Sequence, residues 1–505
     1  MPVHTAAAEA HRSWTLTAGF RASDLVARIT SFLARHYWLA ATAVLMVAAF
    51  NLTFRLGHEI VVEWDESLYG VSAWEMFENR QWIGTTFKQS LDYYNTKPPL
   101  NIWLISLSFR TFGLNLIALR LPSIVAAWLT VVVLQAWVRR AVSSSVALFA
   151  SLILATSFGF LYDHAGRNAN TDALFALLVL LTVVTLWAAD SRPWRLLWLG
   201  PVAAAAFLLR GMGVLMPLAI VTVVEILRPG PWRARARPLM VAAALCVLPV
   251  AAWVWKRWEL DQWQFLGPLF FYDFVARSTR VIEGHRGSPF YHLNVLQKNQ
   301  FDWLLAGIVA CCLFPFAWAR TRPWLTFWRG HDNFKLVVGT WFAVTLLMPA
   351  LIRTKLSWYL NPFYPAFALL IAAAFVHGLT NTQAATRTRR IVLAMTVILA
   401  LGVAESRLIW YSVHRRNLAG STQGFLLAER ENLSGRHVFR TRWDNSEIFV
   451  LDALVGAHAR EAQTPEDFLR DSLPGDYWLA RRELQLPELS LVRSQRRQWL
   501  YRRTY

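Results

Sequence analysis

Residues 98–113 read Pro98-Pro99-Leu100-Asn101-Ile102-Trp103-Leu104-Ile105-Ser106-Leu107-Ser108-Phe109-Arg110-Thr111-Phe112-Gly113. The stretch is apolar, yet it is shorter than the about 20 residues that cross a hydrocarbon layer, and it contains Arg110. Whether it crosses decides the topology of everything after it. Apolar runs of spanning character lie at 37–56, 119–138, 142–162, 172–189, 196–209, 211–227, 239–255, 302–319, 336–352, 358–377 and 391–411. Suppose 98–113 does not cross and the N-terminus is cytoplasmic. Then Arg139/Arg140, Arg192/Arg195, Arg228 with Arg233/Arg235/Arg237, Arg320/Arg322/Arg329 and Arg387/Arg389/Arg390 all fall inside. If it crosses, all five clusters move outside, against the positive-inside bias. The stretch is therefore read as a helix lying in the interface or re-entering from the outer side. That leaves eleven spans and an outer C-terminus.

Composition agrees. Of 505 residues, 55% are hydrophobic, 14% aromatic and only 16% charged, whereas about a quarter of an ordinary soluble domain is charged. Mean hydropathy is +0.33. A soluble enzyme, a fibrous protein and a disordered chain are excluded; an all-α polytopic membrane protein remains. The 51 basic and 32 acidic residues give a net charge of +19. Most of the Arg falls in short loops between apolar runs, where it fixes orientation and meets anionic membrane lipids. Nucleic acid is not an expected partner, because no basic stripe with interleaved aromatics falls in a soluble module. Cys246, Cys311 and Cys312 sit inside apolar runs and read as small core hydrophobes, without disulfide or metal-ligand spacing. The basic segment 1–36 has no apolar core or cleavage site, so the first span is expected to direct export.

This topology sorts the polar residues. The membrane domain 37–411 sends the loop 57–118, the turn after the third span, Arg210, the loop 256–301 and the 353–359 segment to the outer side. The inner loops hold mostly Arg, Pro and Trp. Residues 412–505 differ: they are polar, broken by turns such as Pro474-Gly475, and carry short alternating runs at 436–443 and 477–482. Thr464-Pro465-Glu466-Asp467 marks a capped helix start. The tail reads as a small α/β soluble domain on the outer surface, a docking or acceptor-orienting module.

Five motifs on the outer face could carry chemistry. Glu63-Trp64-Asp65-Glu66 places adjacent carboxylates at a membrane mouth, where repulsion and lost hydration make them costly. Such an Asp can accept the proton of an attacking hydroxyl or hold a divalent metal; an acidic start to a juxtamembrane helix fits the spacing equally well. Lys97 precedes Pro98-Pro99 at the head of an apolar helix, where ammonium and helix dipole together suit a phosphate at headgroup depth. A snorkelling lysine is the plainer alternative. In Asp163-His164-Ala165-Gly166-Arg167-Asn168-Ala169-Asn170-Thr171-Asp172, Arg167 can pair bidentately with phosphate or carboxylate, and Asp172 is either a helix cap or a working acid. Glu283-Gly284-His285-Arg286-Gly287 is a flexible segment able to close over a ligand. Glu283 and His285 could also bind a metal, but two candidate ligands fall short of a full set. Arg353 to Pro362 brings Lys355 and Tyr359 to the entry of span ten, the makeup of an interfacial anchor as well. Together they describe an outward-facing site with one or two carboxylates and several cations. That suits removal of a group from a lipid phosphate.

Trp64-Asp65-Glu66 with Trp74-Glu75-Met76 resembles the loop opening of the polyprenyl-phosphate-sugar-dependent glycosyltransferases, the superfamily of protein O-mannosyltransferases and bacterial lipid A aminoarabinose transferases. Lys97-Pro98-Pro99-Leu100, Phe112-Gly113 and Leu119-Arg120-Leu121-Pro122-Ser123 are similar to its loop-to-span passage. Arg167 to Asp172 is similar to its third-to-fourth-span segment, and Lys355 to Pro362 to its KLxxYxxP-like element. The resemblance covers about 37–377. It implies a GT-C fold with a catalytic first outer loop. It also implies inverting transfer of a sugar from undecaprenyl phosphate to an envelope glycolipid, polysaccharide or protein. By the same resemblance Asp65, with Glu66 beside it, is the catalytic carboxylate. Lys97, Arg167, Arg210 and Lys355 neutralise the departing phosphate, and Tyr359 contacts the donor headgroup. Asp172, Glu283 and His285 are further substrate-binding candidates, and a divalent metal stays open. One position departs: the aminoarabinose transferases carry Glu before the Lys-Pro pair, where this chain has Thr96. The implied location is a bacterial inner membrane, with site and C-terminus periplasmic. The competing class, a transporter or flippase of a lipid-linked or anionic solute, would need paired Gly/Pro-broken spans in two matching halves, which the sequence does not show.

Overall fold

The structure, a computed structural model, describes residues 32, 35–313, 332–380, 387–414 and 416–505. Most of the basic N-terminal segment, Arg320, Arg322 and Arg329, and the end of span 302–319 lie outside the described residues. Long runs rich in Leu, Ala and Val fold as helices, some with a proline inside such as Pro122 or Pro249, and their surfaces say where they live. Tyr37–Thr53 turns Trp38, Leu39 and Met46 outward, and Arg387–His414 does so with Met395, Ile398 and Leu399. All six are more than 60% exposed. Belts of this kind are costly against water and neutral against lipid tails. Arg139 lies over the rings of Tyr37 and Trp38, at 4.1 and 4.4 Å from their centroids, so its charge stays beside aromatic faces at the helix end.

The expected spans fall on helical segments, the eighth as far as Leu313, but the third, 142–162, is broken into Ser144–Ala155 and Phe158–Tyr162. Pro193–Leu227 needs comment, since it is a continuous helical run of 35 residues. Arg195 Nη1 donates to the carbonyl of Ala188 at 3.0 Å, and Arg228 Nη2 to that of Leu186 at 2.5 Å. Both ends of the run therefore meet one end of the helix Asp172–Ala188. The chain goes out through the 3₁₀ turn Pro193–Trp198 and Leu199–Arg210, breaks at Gly211 (φ +55°) and comes back through Gly211–Val214 and Leu215–Leu227, limbs that with their 3₁₀ turns are longer than either helix alone. These are two spans, as the sequence predicts.

The stretch 98–113 folds as the helix Leu100–Phe112, 13 residues long. At 1.5 Å per residue that is about 20 Å, too short to cross. Ile102, Ile105 and Phe109 instead pack with Phe449, Val450 and Leu451 of the tail. A second loop helix, Asp65–Asn79, precedes it, joined through a small hairpin of β1 (Thr86–Phe87) and β2 (Ser90–Leu91). Asp65–Asn79 passes so close under the tail that a Cβ on Gly70 would lie 2.9 Å from the Phe449 ring.

The tail holds β3 (His437–Arg440), β4 (His458–Glu461), β5 (Tyr477–Ala480), β6 (Leu489–Gln495) and β7 (Gln498–Arg503), in the order β4-β3-β5-β7-β6. β3 pairs parallel with β4 and β5, and the rest is antiparallel. Thr464 and Asp467 form the expected capping box at the start of Pro465–Asp471. The tail is stitched to the first loop: Ile60 N–H donates to Arg416 O at 2.9 Å, Leu418 N–H to His58 O at 2.7 Å, and Gln423 bonds both backbone groups of Val61.

Candidate active site

A cavity of about 710 Å³ opens at the end of the bundle where the first loop, the 163–172 turn, the Gly211 turn, the 262–290 segment and the head of span ten converge. Helix ends place its charges. Asp65 is the first residue of Asp65–Asn79 and Asp172 the first of Asp172–Ala188, both at positive helix ends. Arg210 is the last residue of Leu199–Arg210, at a negative end. All three line the cavity, with Lys97, His164, Glu283, His285 and Tyr359.

The Asp65 carboxylate is 43% exposed, and its Oδ2 lies 3.8 Å from His164 Nδ1. Asn170 contacts that same Nδ1 at 2.9 Å, and the His164 ring stacks on Trp358 at 3.7 Å. Burial lowers the His164 pKa and outweighs the opposing pull of Asp65 and Asp172, so the imidazole is held neutral. Burial, with the charges of Asp65 and Asp172, pushes the neighbouring Tyr69 phenol well up, which keeps it a hydrogen-bond donor. Arg210 pairs with Asp172 and lies 5.5 Å from the Tyr359 ring. In the same cavity Lys97 Nζ is 2.6 Å from Asp273 Oδ2, and Arg277 reaches Asp273 at 3.1 Å and Glu283 at 3.2 Å. Tyr272 donates to Glu283 at 2.9 Å. At the rim, burial and the tail carboxylates Asp444 and Glu447 raise the pKa of Glu63, so the tail contributes to the field over the site.

Three expected site residues lie elsewhere. Glu66 is fully buried; Arg120 Nε binds its Oε1 at 2.8 Å, and the N–H groups of Ala169 and Val62 donate to its two oxygens. Arg167 is buried against Glu59 at 2.6 Å and the carbonyls of Asn51 and Phe54. Arg416 joins both acids, 3.6 Å from Glu59 and 3.7 Å from Glu66. This five-residue ionic knot holds the first loop, span two, the 163–172 turn and the start of the tail together, directly behind Asp65. Glu66 and Arg167 are its members, not walls of the cavity. The Lys355 ammonium also turns away, onto the carbonyls of Pro349 and Ala350. Asp273, Arg277, Trp358 and Tyr69 were not singled out from the sequence. Among the described residues no three of His, Cys, Asp and Glu come together as a metal site, and Thr96 lines the cavity beside Lys97.

Residues 96–255 match the dolichyl-phosphate-mannose-protein mannosyltransferase family. The chain is 30% identical over 375 residues to an undecaprenyl phosphate-alpha-4-amino-4-deoxy-L-arabinose arabinosyl transferase of Pseudomonas savastanoi pv. phaseolicola, covering 71% of this chain and 66% of that protein. It is 28% identical over 398 residues to one of the same description from Pseudomonas fluorescens, covering 75% of this chain and 63% of that protein. The chain thus spans about two thirds of the length of the curated relatives it matches. The crystal structure of ArnT from Cupriavidus metallidurans bound to undecaprenyl phosphate has the same fold, with a TM-score of 0.67 at 16% identity over 93% of this chain and 98% of that one. The chain is a GT-C membrane protein of the polyprenyl-phosphate-sugar glycosyltransferase type. Within that class it is lipid A aminoarabinose transferase-like.

Proposed function

We propose that the chain is an inverting glycosyltransferase that moves a sugar, a pentose by analogy with its relatives, from undecaprenyl phosphate to an envelope acceptor on the periplasmic face of a bacterial inner membrane. The observation that carries this is that one cavity holds both kinds of group. It is lined by a partly exposed carboxylate, Asp65, and by a cation row, Lys97 and Arg277, sharing Asp273. Asp65 takes the proton of the acceptor hydroxyl as its oxygen attacks the anomeric carbon. The bond from that carbon to the phosphate oxygen breaks, and its electron pair leaves with the lipid phosphate. Lys97 and Arg277 meet the charge that builds there, in a partly dry site where fixed cations act strongly. Arg210, locked to Asp172, borders the sugar space and orients Tyr359 toward it.

Asp65→Asn keeps the shape and removes the proton acceptor. Transfer of labelled sugar from its undecaprenyl phosphate carrier should fall by about 10²–10⁴-fold, with the melting temperature in detergent unchanged. Near-normal turnover in that variant would remove Asp65 from the role. Movement of the intact lipid-linked sugar between leaflets, without chemical transfer, would favour the transporter class instead.

A further inference from the structure

His164 is fixed in the cavity wall from several sides. Its φ of +57° lies in the left-handed region, which most side chains avoid. Its ring lies nearly flat on Trp358, at 3.7 Å between centroids and 17° between planes. The turn that carries it is tied to the same segment as Trp358. Ser357 Oγ donates to Asp163 Oδ1 at 2.8 Å, and Asn361 Nδ2 to the Asp163 carbonyl at 2.8 Å. Asn299 Nδ2 donates to Asp163 Oδ2 at 3.0 Å. Ring and platform are thus held as one body, with Nδ1 at 3.8 Å from Asp65 Oδ2. Asn170 Nδ2 lies 2.9 Å from that nitrogen. An amide nitrogen only donates, so Nδ1 is the acceptor in this arrangement. Asn170 Oδ1 is buried and has no hydrogen-bond partner among the described residues. A half-turn of the amide would offer that oxygen to an Nδ1–H, so one residue serves both the neutral and the charged ring.

A lone pair at Nδ1 gains nothing from an ionised carboxylate beside it. It gains a hydrogen bond once that carboxylate carries a proton. The pair therefore favours the state Asp65 reaches after the acceptor hydroxyl has given up its proton. We propose that His164 is a positioning residue for Asp65 and relays onward the proton that Asp65 takes from the acceptor. The proposal rests on the transferase reading above. The acceptor O–H bond breaks as an O–H bond forms on Asp65. That bond breaks in turn as Nδ1–H forms, and the imidazolium releases the proton to water in the cavity, leaving both groups as they began. Asp65 and Asp172, with Glu66 behind, favour the charged ring, while burial and Arg210 oppose it. The opposing side prevails, which returns the ring to neutral for the next turnover.

Glycine suits the left-handed turn, so His164→Gly keeps the backbone and leaves an imidazole-sized hole between Trp358 and Asp65. His164→Asn also tolerates the turn and keeps a polar group, but takes up no proton. Sugar transfer from the labelled undecaprenyl phosphate carrier is measured for both variants and the unmodified protein. Each is assayed alone, with imidazole, and with pyrrole, a ring of the same shape without a basic nitrogen. In both variants kcat should fall by about 10²-fold, while donor KM stays within about twofold because the lost interaction belongs to the reaction and not to binding. Imidazole should raise His164→Gly turnover by about tenfold or more, and pyrrole should leave it unchanged. Failure of imidazole to restore turnover overturns the relay, as does equal restoration by pyrrole, which would make the ring a filler. So does a kcat for His164→Asn within about threefold of the unmodified value, which decides the matter should His164→Gly not fold. If the unmodified protein transfers no sugar, the transferase reading itself fails.

Discussion

Trp64, His164 and Glu283 hold φ at +71°, +57° and +54°, and all three line the cavity. Each such backbone costs about 1–3 kcal/mol, so the fold around them must hold them there. For Trp64, which aims the first peptide of Asp65–Asn79, the restraint is the ionic knot. Glu66→Gln should therefore destabilise the protein by about 3–5 kcal/mol, by leaving Arg120 and Arg416 without their countercharge. Burial alone would raise the Glu66 pKa, but the charges of Arg120 and Arg416 and the Val62 N–H outweigh it and hold it below the usual value. Its contribution is then complete above the unfolded value of about 4.3 and disappears only as pH falls through the lower folded one. Melting curves of the two proteins should differ by a constant amount from about pH 5 to 8 and converge below about pH 4. A gap that changes between about pH 6 and 7 would place the linkage elsewhere. At this scale the sequence identified Asp65, Lys97, Arg210 and Tyr359 because each is a polar residue where apolar context breaks. It could not separate Asp65 from Glu66. Neighbours on a helix point about 100° apart, and only the packing says which faces the cavity. Asp273 and Arg277 were hidden by a loop already rich in charge.

The loop helices carry the tail, and the contact is tight enough to break by a single side chain. Gly70→Leu would drive a branched group into the Phe449 ring, an overpacking worth about 1–3 kcal/mol. Limited proteolysis should then cut within 416–505 faster than in the unmodified protein, while the bundle stays resistant; an unchanged digestion pattern would mean that the tail is held independently of that helix. The spans were legible because length and apolarity alone define them, and Leu100–Phe112 because five Arg clusters voted against its crossing. For Asp65–Asn79 the sequence offered only its acidic start, as one of two readings, and not its extent or its burial. Glu66, Ser67, Tyr69, Gly70, Ser72, Glu75 and Met76 are all buried, since bundle and tail cover it from both sides. No amphipathic stripe survives to announce it.

For the molecule as a whole, orientation is the quantity to measure. With Cys246, Cys311 and Cys312 replaced, a cysteine at Tyr94, 58% exposed beside the cavity, should react with a membrane-impermeant thiol reagent in intact cells. One at Trp232, 67% exposed at the opposite end, should react only after permeabilisation. The reverse pattern would invert the molecule and put the donor on the wrong leaflet. The out-and-back excursion at Gly211 sets a further constraint. Its two feet, Arg195 and Arg228, stand on the carbonyls of Ala188 and Leu186, in the last turn of a single helix whose far tip is Asp172, the partner of Arg210. The guanidinium is thus hung at a depth measured off that one helix, as a plumb line is cut to a ruler. A homologue living in a thicker bilayer could not lengthen one limb alone. It would have to extend the ascending limb, the descending limb and the ruler in concert, or lose the pairing at the tip.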